Sequence, residues 1–273
     1  MKVAIIITDE LADKNILKQL MNFGFVKKNT LYDGEPVLEY ENISIYQTRK
    51  ISIFAEHIDV EIDADLFVFA TRHKSSSMKP SLTCHAPGNW AEAEYGGEGK
   101  ELCVAPANLL KQFYLSLKEK VKDDMIEVTL EATHHGPLLD KPCMFVEIGS
   151  SEKEWSNESY GRIIAESIVD VFTNYDFKCK SCFFIGGGHY NNYANKIMER
   201  TDYAVGHICP KFMLENLDET MLNQAINRCI PKSELVLLDW DGLGGEKHRL
   251  LEMLERLNIK FERVKRFLKQ KEN

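Results

Sequence analysis

The 273-residue chain carries 34 Lys and Arg against 42 Asp and Glu, a formal charge of −8, with 44% hydrophobic residues, 16 Gly and 8 Pro. That composition excludes a disordered, collagenous or disulfide-scaffold protein. The acidic balance also excludes a nucleic-acid coat protein, which presents a basic surface to phosphate, so any nucleic-acid contact must be local.

The chain opens on one Lys, a five-residue apolar run and then acid, which predicts a first strand over 3–7 rather than a secretory signal. Asp9 or Asp13 is expected to cap the helix that follows, toward residue 21. Apolar runs at 43–46, 66–70, 125–130 and 144–148 read as further strands, with a helix over 107–121 between them. In the second half, Ile163, Ile164, Ile168, Val169 and Phe172 stand at helical spacing within 158–173. Strands follow at 183–185, 204–208 and 235–238, and helices at 192–200, 219–229 and 245–257. This alternation predicts an α/β fold of three layers, a sheet with helices on both faces.

No window reaches the roughly 18 apolar residues that span a membrane. Seven cysteines, spread from Cys84 to Cys229, read without a secretory signal as reduced thiols of a soluble cytoplasmic protein. Neither an internal repeat nor a low-complexity linker interrupts the chain, so residues 1–273 are expected to form one compact unit, with Gly149 as the candidate point of subdivision. The longest region without periodicity, 71–99, reads as a functional loop.

Four segments at or near strand ends carry the chemistry, and in α/β sheets the carboxyl ends of strands are where sites assemble. In the first, Thr71 to Ser77, Arg72, Lys74 and hydroxyls such as Ser76 can hold a phosphate or a carboxylate. The second places Cys84, His85, Asn89 and Trp90 around a Pro-Gly turn; His85 can ligate a metal or move a proton, and Trp90 can stack on a base. Cys84 invites a nucleophile reading, weakened because no facing base is apparent. The third, Glu131 to Pro137, holds His134 and His135, and Glu147 closes the next strand with a further carboxylate. On a regular strand His134 and His135 would point to opposite faces, but Gly136-Pro137 makes a bend between them plausible. The fourth is Gly186-Gly187-Gly188-His189, where glycines admit close backbone approach and His189 sits at a ligand position. The pair Cys179 and Cys182 lacks a second pair at zinc-ribbon spacing and reads as buried thiols. Residues 259–273 hold six basic and two acidic residues, either a binding feature or a solvated tail.

In this order TRHKSSS, SLTCHAPGNW, EATHHGP, EIGSSEKEW, FIGGGHY and LLDWDGL resemble the signature blocks of the archaeal and plant-type D-aminoacyl-tRNA deacylases. The resemblance covers nearly the whole chain. It implies a mixed α/β fold of phosphorylase/hydrolase type, zinc dependence, and hydrolysis of the ester between a D-amino acid and the tRNA 3′ end. On that reading His134, Glu131 and His85 are catalytic candidates, and His85, His134, His135, His189 and Glu147 are metal candidates. Arg72, Lys74, Ser76, Trp90, Gly187 and Gly188 would meet the terminal phosphate and adenosine. The expected partner is the acceptor end of D-aminoacyl-tRNA, with no membrane, no obligate protein partner and a monomeric state. Two rivals stand beside it: an aminopeptidase-like zinc hydrolase on the same fold, and a non-catalytic RNA-end-binding module.

Overall fold

Val3–Ile7 is buried at all five positions and forms β1, as an uninterrupted apolar run in a parallel sheet does. The structure, a computed structural model, describes residues 1–76, 78–174 and 178–271. After β1 come α1 (Leu11–Leu20), β2 (Val26–Tyr32), β3 (Glu35–Tyr40), β4 (Ile43–Gln47) and α2 (Ile58–Glu61). The middle of the chain holds β5 (Leu66–Lys74), β6 (Ser81–His85), β7 (Ala105–Pro106), α3 (Ala107–Lys120), β8 (Glu127–Leu130) and β9 (Cys143–Ser150). Next are α4 (Glu152–Trp155), α5 (Glu158–Thr173), β10 (Lys180–Ile185), α6 (Asn192–Arg200) and β11 (Tyr203–Cys209). Last are α7 (Glu219–Asn227), β12 (Cys229–Ile230), β13 (Leu235–Leu238), α8 (Lys247–Arg256), β14 (Phe261–Arg263) and α9 (Val264–Lys271).

The fold is α/β, with its strands divided between two main sheets rather than gathered in one. Among the described residues a mixed eight-stranded sheet runs β2-β3-β4-β1-β5-β9-β6-β8, and a parallel four-stranded sheet runs β11-β10-β13-β14. One apolar core joins them: Val68 and Ile148 of the larger sheet share it with Ile164, Phe113, Phe184 and Leu237. The outer face of the larger sheet carries a second cluster around Phe67, Phe69 and Phe145. The outer face of the smaller sheet packs Phe183, Ile185 and Leu238 against Met221 and Leu250 of α7 and α8. Gly149 lies inside β9, opposite His73 and Ser81, so the candidate point of subdivision falls within a paired strand.

Several expectations change on this frame. The region 71–99 is not one loop: β5 continues through Lys74 and β6 inserts antiparallel beside β9. Neither Asp9 nor Asp13 caps α1, whose N-cap is Glu10 without a side-chain bond. Asp13 instead turns inward and accepts from Thr8 N–H and hydroxyl and from the Thr71 hydroxyl. Residues 261–271 are an edge strand and a docked helix, with Val264, Phe267 and Leu268 buried, so this part of the basic segment is not a frayed tail. Ser77 and residues 272–273 lie outside the described residues.

Candidate active site

Side chains alternate along a strand, and that period carries the outer apolar face of the larger sheet into a polar site. Phe67 and Phe69 of β5 belong to the outer cluster; two and four residues on, Thr71 and His73 continue the same face. Phe145 of β9 is followed in the same way by Glu147, which sits opposite Thr71 and Thr83. His85 ends β6 opposite Phe145 and stacks on its ring at 5.2 Å.

Beyond β8 the chain leaves the sheet, and the strand rule that would separate His134 from His135 no longer applies. His135 adopts a left-handed backbone (φ +46°), and the next residue must be glycine: a Cβ on Gly136 would lie 2.2 Å from Gly97 N. Both imidazoles therefore face His85, with ring centroids 4.3 and 4.9 Å from it. Glu131 forms an antiparallel bridge with Tyr190, and Ala132 N–H donates to the His189 carbonyl at 2.7 Å. This short pairing between the two sheets brings His189 Nε2 within 2.8 Å of Glu131 Oε2. Gly187, at φ +80°, supplies the turn that precedes it.

His85, His134 and His135 share one orientation. Each turns Nδ1 to a backbone carbonyl, of Ala86, Ala132 and Gly136 respectively, at 3.2, 2.8 and 2.6 Å. A carbonyl only accepts, so Nδ1 carries the ring proton and Nε2 keeps a lone pair for the site. Burial holds His134 well below the usual imidazole value, assisted by the neighbouring His135 and His85. Burial and His85 hold His135 down to about 3. Both rings are neutral near pH 7. Burial also opposes charge on His85 and Glu131, but their partners prevail: Glu147 raises His85, while the His189 bond, with the other imidazoles around it, takes Glu131 well below the carboxylate range.

Three buried polar atoms in this cluster make no hydrogen bond: His85 Nε2, Glu131 Oε1 and Glu147 Oε2, the second although His73 Nδ1 stands 3.1 Å from it. Buried groups of this kind are normally satisfied. Among the described residues three overlapping donor sets occur: His85, His134 and His135; His73, Glu131 and His189; and His85, Glu131 and Glu147. Within each set the ligand atoms lie within 4.8 Å of one another. Imidazoles and carboxylates at that spacing fit a divalent cation such as zinc.

The cluster lies against a cavity of about 1080 Å³ whose wall includes His73, His134, His135, Glu147 and His189. Lys74 and Arg72 line it too. Lys74 is exposed, whereas one edge of the Arg72 guanidinium, Nε and Nη2, meets Glu10 at 2.9 and 3.1 Å. Ser76 is exposed and outside the cavity wall. Gly187 and Gly188 precede His189 but do not line the cavity. Trp90 departs from its expected role. It is 2% exposed, its indole N–H donates to the Thr133 carbonyl at 3.0 Å and its ring stacks on Phe183, so its faces are closed to a base. The exposed rings at the cavity wall are Tyr95 and Phe212. Cys84 is fully buried, and burial pushes its thiol far up, so it is no nucleophile. Sequence reasoning passed over His73, although the spacing from Phe67 and Phe69 carried its signal.

A family model described as D-aminoacyl-tRNA deacylase matches residues 60–262. The D-aminoacyl-tRNA deacylase of Thermococcus kodakarensis is 38% identical to this chain, covering 96% of it and 99% of its own length. That of Methanocaldococcus jannaschii is also 38% identical, over 82% of this chain and 91% of its own. A crystal structure of a conserved protein of unknown function superposes with a TM-score of 0.91 at 27% identity, covering 98% of this chain and 97% of its own. The chain belongs to the D-aminoacyl-tRNA deacylase family.

Proposed function

We propose that the protein hydrolyses the ester between a D-amino acid and the tRNA 3′ end, freeing the tRNA for correct charging, with a zinc-activated water. Beside the family relationship, the observation that supports zinc is the trio of buried atoms without a hydrogen bond on His85, Glu131 and Glu147. His85, His134 and His135, with Glu147 beside His85, would hold one metal position, and His189 with His73 another, Glu131 standing between His134 and His189 within reach of both. Bound zinc supplies a lowered water pKa and polarisation of the ester carbonyl. The protein's own part is to hold His134 and His135 neutral with fixed tautomers, and to keep Glu131 ionised between His134 and His189. Lys74 meets the terminal phosphate, with Arg72 behind it. The cavity wall admits the D side chain and turns the L-ester's side chain into a clash, a filter by shape rather than by added contact. The enzyme acts as a soluble cytoplasmic monomer.

The test offers the purified protein matched D- and L-aminoacyl-tRNA and a peptide panel, before and after chelation. D-ester hydrolysis lost on chelation and restored by zinc supports the reading; rapid peptide cleavage with an untouched D-ester refutes it. His134→Ala should lower kcat by at least 100-fold while tRNA binding persists.

A further inference from the structure

Whereas His85, His134 and His135 are fixed by carbonyls, His73 is fixed by a phenol: its Nε2 lies 2.9 Å from the Tyr190 hydroxyl. Its Nδ1 faces Glu131 Oε1 at 3.1 Å and Glu147 Oε2 at 3.7 Å. The difference matters because a carbonyl accepts only, and a phenol both accepts and donates. With the carboxylates as its neighbours, His73 carries its proton on Nδ1 and Tyr190 donates to Nε2. With a cation among His73, Glu131 and His189 the Nδ1 lone pair is used, the ring proton sits on Nε2, and the same hydroxyl accepts it. Tyr190 arrives by the pairing that delivers His189, since it is the partner of Glu131 in that bridge.

We propose that Tyr190 is a positioning residue that orients His73 toward a metal and serves both of its tautomers. The inference rests on the reading that these donors hold a metal. The hydroxyl counts for more with metal bound, because a cation polarises the ring N–H and strengthens its bond to the phenol. Partners of this outer kind typically change metal affinity by 10–100-fold when removed.

The experiment is competition between the full-length protein and a chromophoric chelator for Zn²⁺ alone, with the metal-free Tm measured beside it. Tyr190→Phe should weaken Zn²⁺ affinity by about 10–100-fold with the metal-free Tm nearly unchanged. His73→Ala should lose at least as much as Tyr190→Phe. Wild-type affinity in Tyr190→Phe overturns the proposal, as does a loss matched by a comparable fall in metal-free Tm, the mark of a merely structural role. A wild-type protein that binds no Zn²⁺ overturns the underlying reading instead, and the two failures are separated by the wild-type titration.

Discussion

Asp13 shows what a buried carboxyl does when its neighbours are hydroxyls rather than cations. Its partners are Thr8 and Thr71, and burial pushes it up to about 7. A carboxyl raised in the folded state binds more protons than in the unfolded chain, so stability is full below the unfolded value near 4 and falls as pH rises toward 7. Asp13→Asn keeps an acceptor for Thr8 and removes the charge. Its stability relative to wild type should rise from pH 4 to pH 7 by on the order of 2 kcal/mol, read by denaturant unfolding at each pH. A flat difference contradicts this account. At Cys84 the expectation is the reverse, an absence of effect on catalysis: Cys84→Ala should retain kcat within about threefold, whereas a nucleophile would lose 10³-fold or more. The same scale explains what the sequence conceals. His85, His134, His135 and His189 could be read from their motifs, because loop imidazoles beside Gly and Pro suggest a site. His73 could not be read as easily, since a single imidazole ending an apolar strand resembles any polar residue at a sheet's edge. Trp90 misled for the opposite reason: an aromatic ring in a polar loop looks exposed until the chain folds over it.

Among the elements, those with strong periodicity were legible. The helix over 158–173 and the strand over 235–238 appear with the bounds their apolar spacing gives. β2 was not legible, because six of its seven residues are exposed and no alternation marks it. The available signal was Asp33-Gly34, whose positive φ values of 50° and 87° make the hairpin turn to β3. β6 escaped because it follows β5 closely in the chain yet crosses to lie between β9 and β8, so its sheet neighbours are distant in sequence. The basic terminal segment is the element whose role changed most. Phe267 of α9 is 5% exposed and meets Tyr203 edge-on at 5.3 Å. Phe267→Ala should therefore cost about 3 kcal/mol in a denaturant melt, where a solvated tail would show almost none.

For the whole molecule, the charge balance bears on how RNA is met. Outside 259–273 the chain holds 28 basic and 40 acidic residues. Within that segment Lys265 pairs with Asp241, Lys271 with Asp202 and Arg266 with Glu262. Half of that segment's basic residues are thus matched, and at the cavity wall Lys74 is the cation most directly presented, since Arg72 is paired with Glu10. A contact with few phosphates releases few counterions. The KM for D-aminoacyl-tRNA should therefore rise with salt at a log–log slope of about 2 or less, with kcat unchanged; a slope near 6 would mean an extended RNA track. The bridge between Glu131 and Tyr190 has a consequence for folding as well. It joins donors that follow strands of different sheets, so the set of His73, Glu131 and His189 is complete only when the two sheets are docked, and whatever binds that set is linked to their docking. At 100 times its Kd such a ligand adds about 2.7 kcal/mol to global stability, and a local opening that parts the sheets takes His189 away from Glu131 before either sheet unfolds.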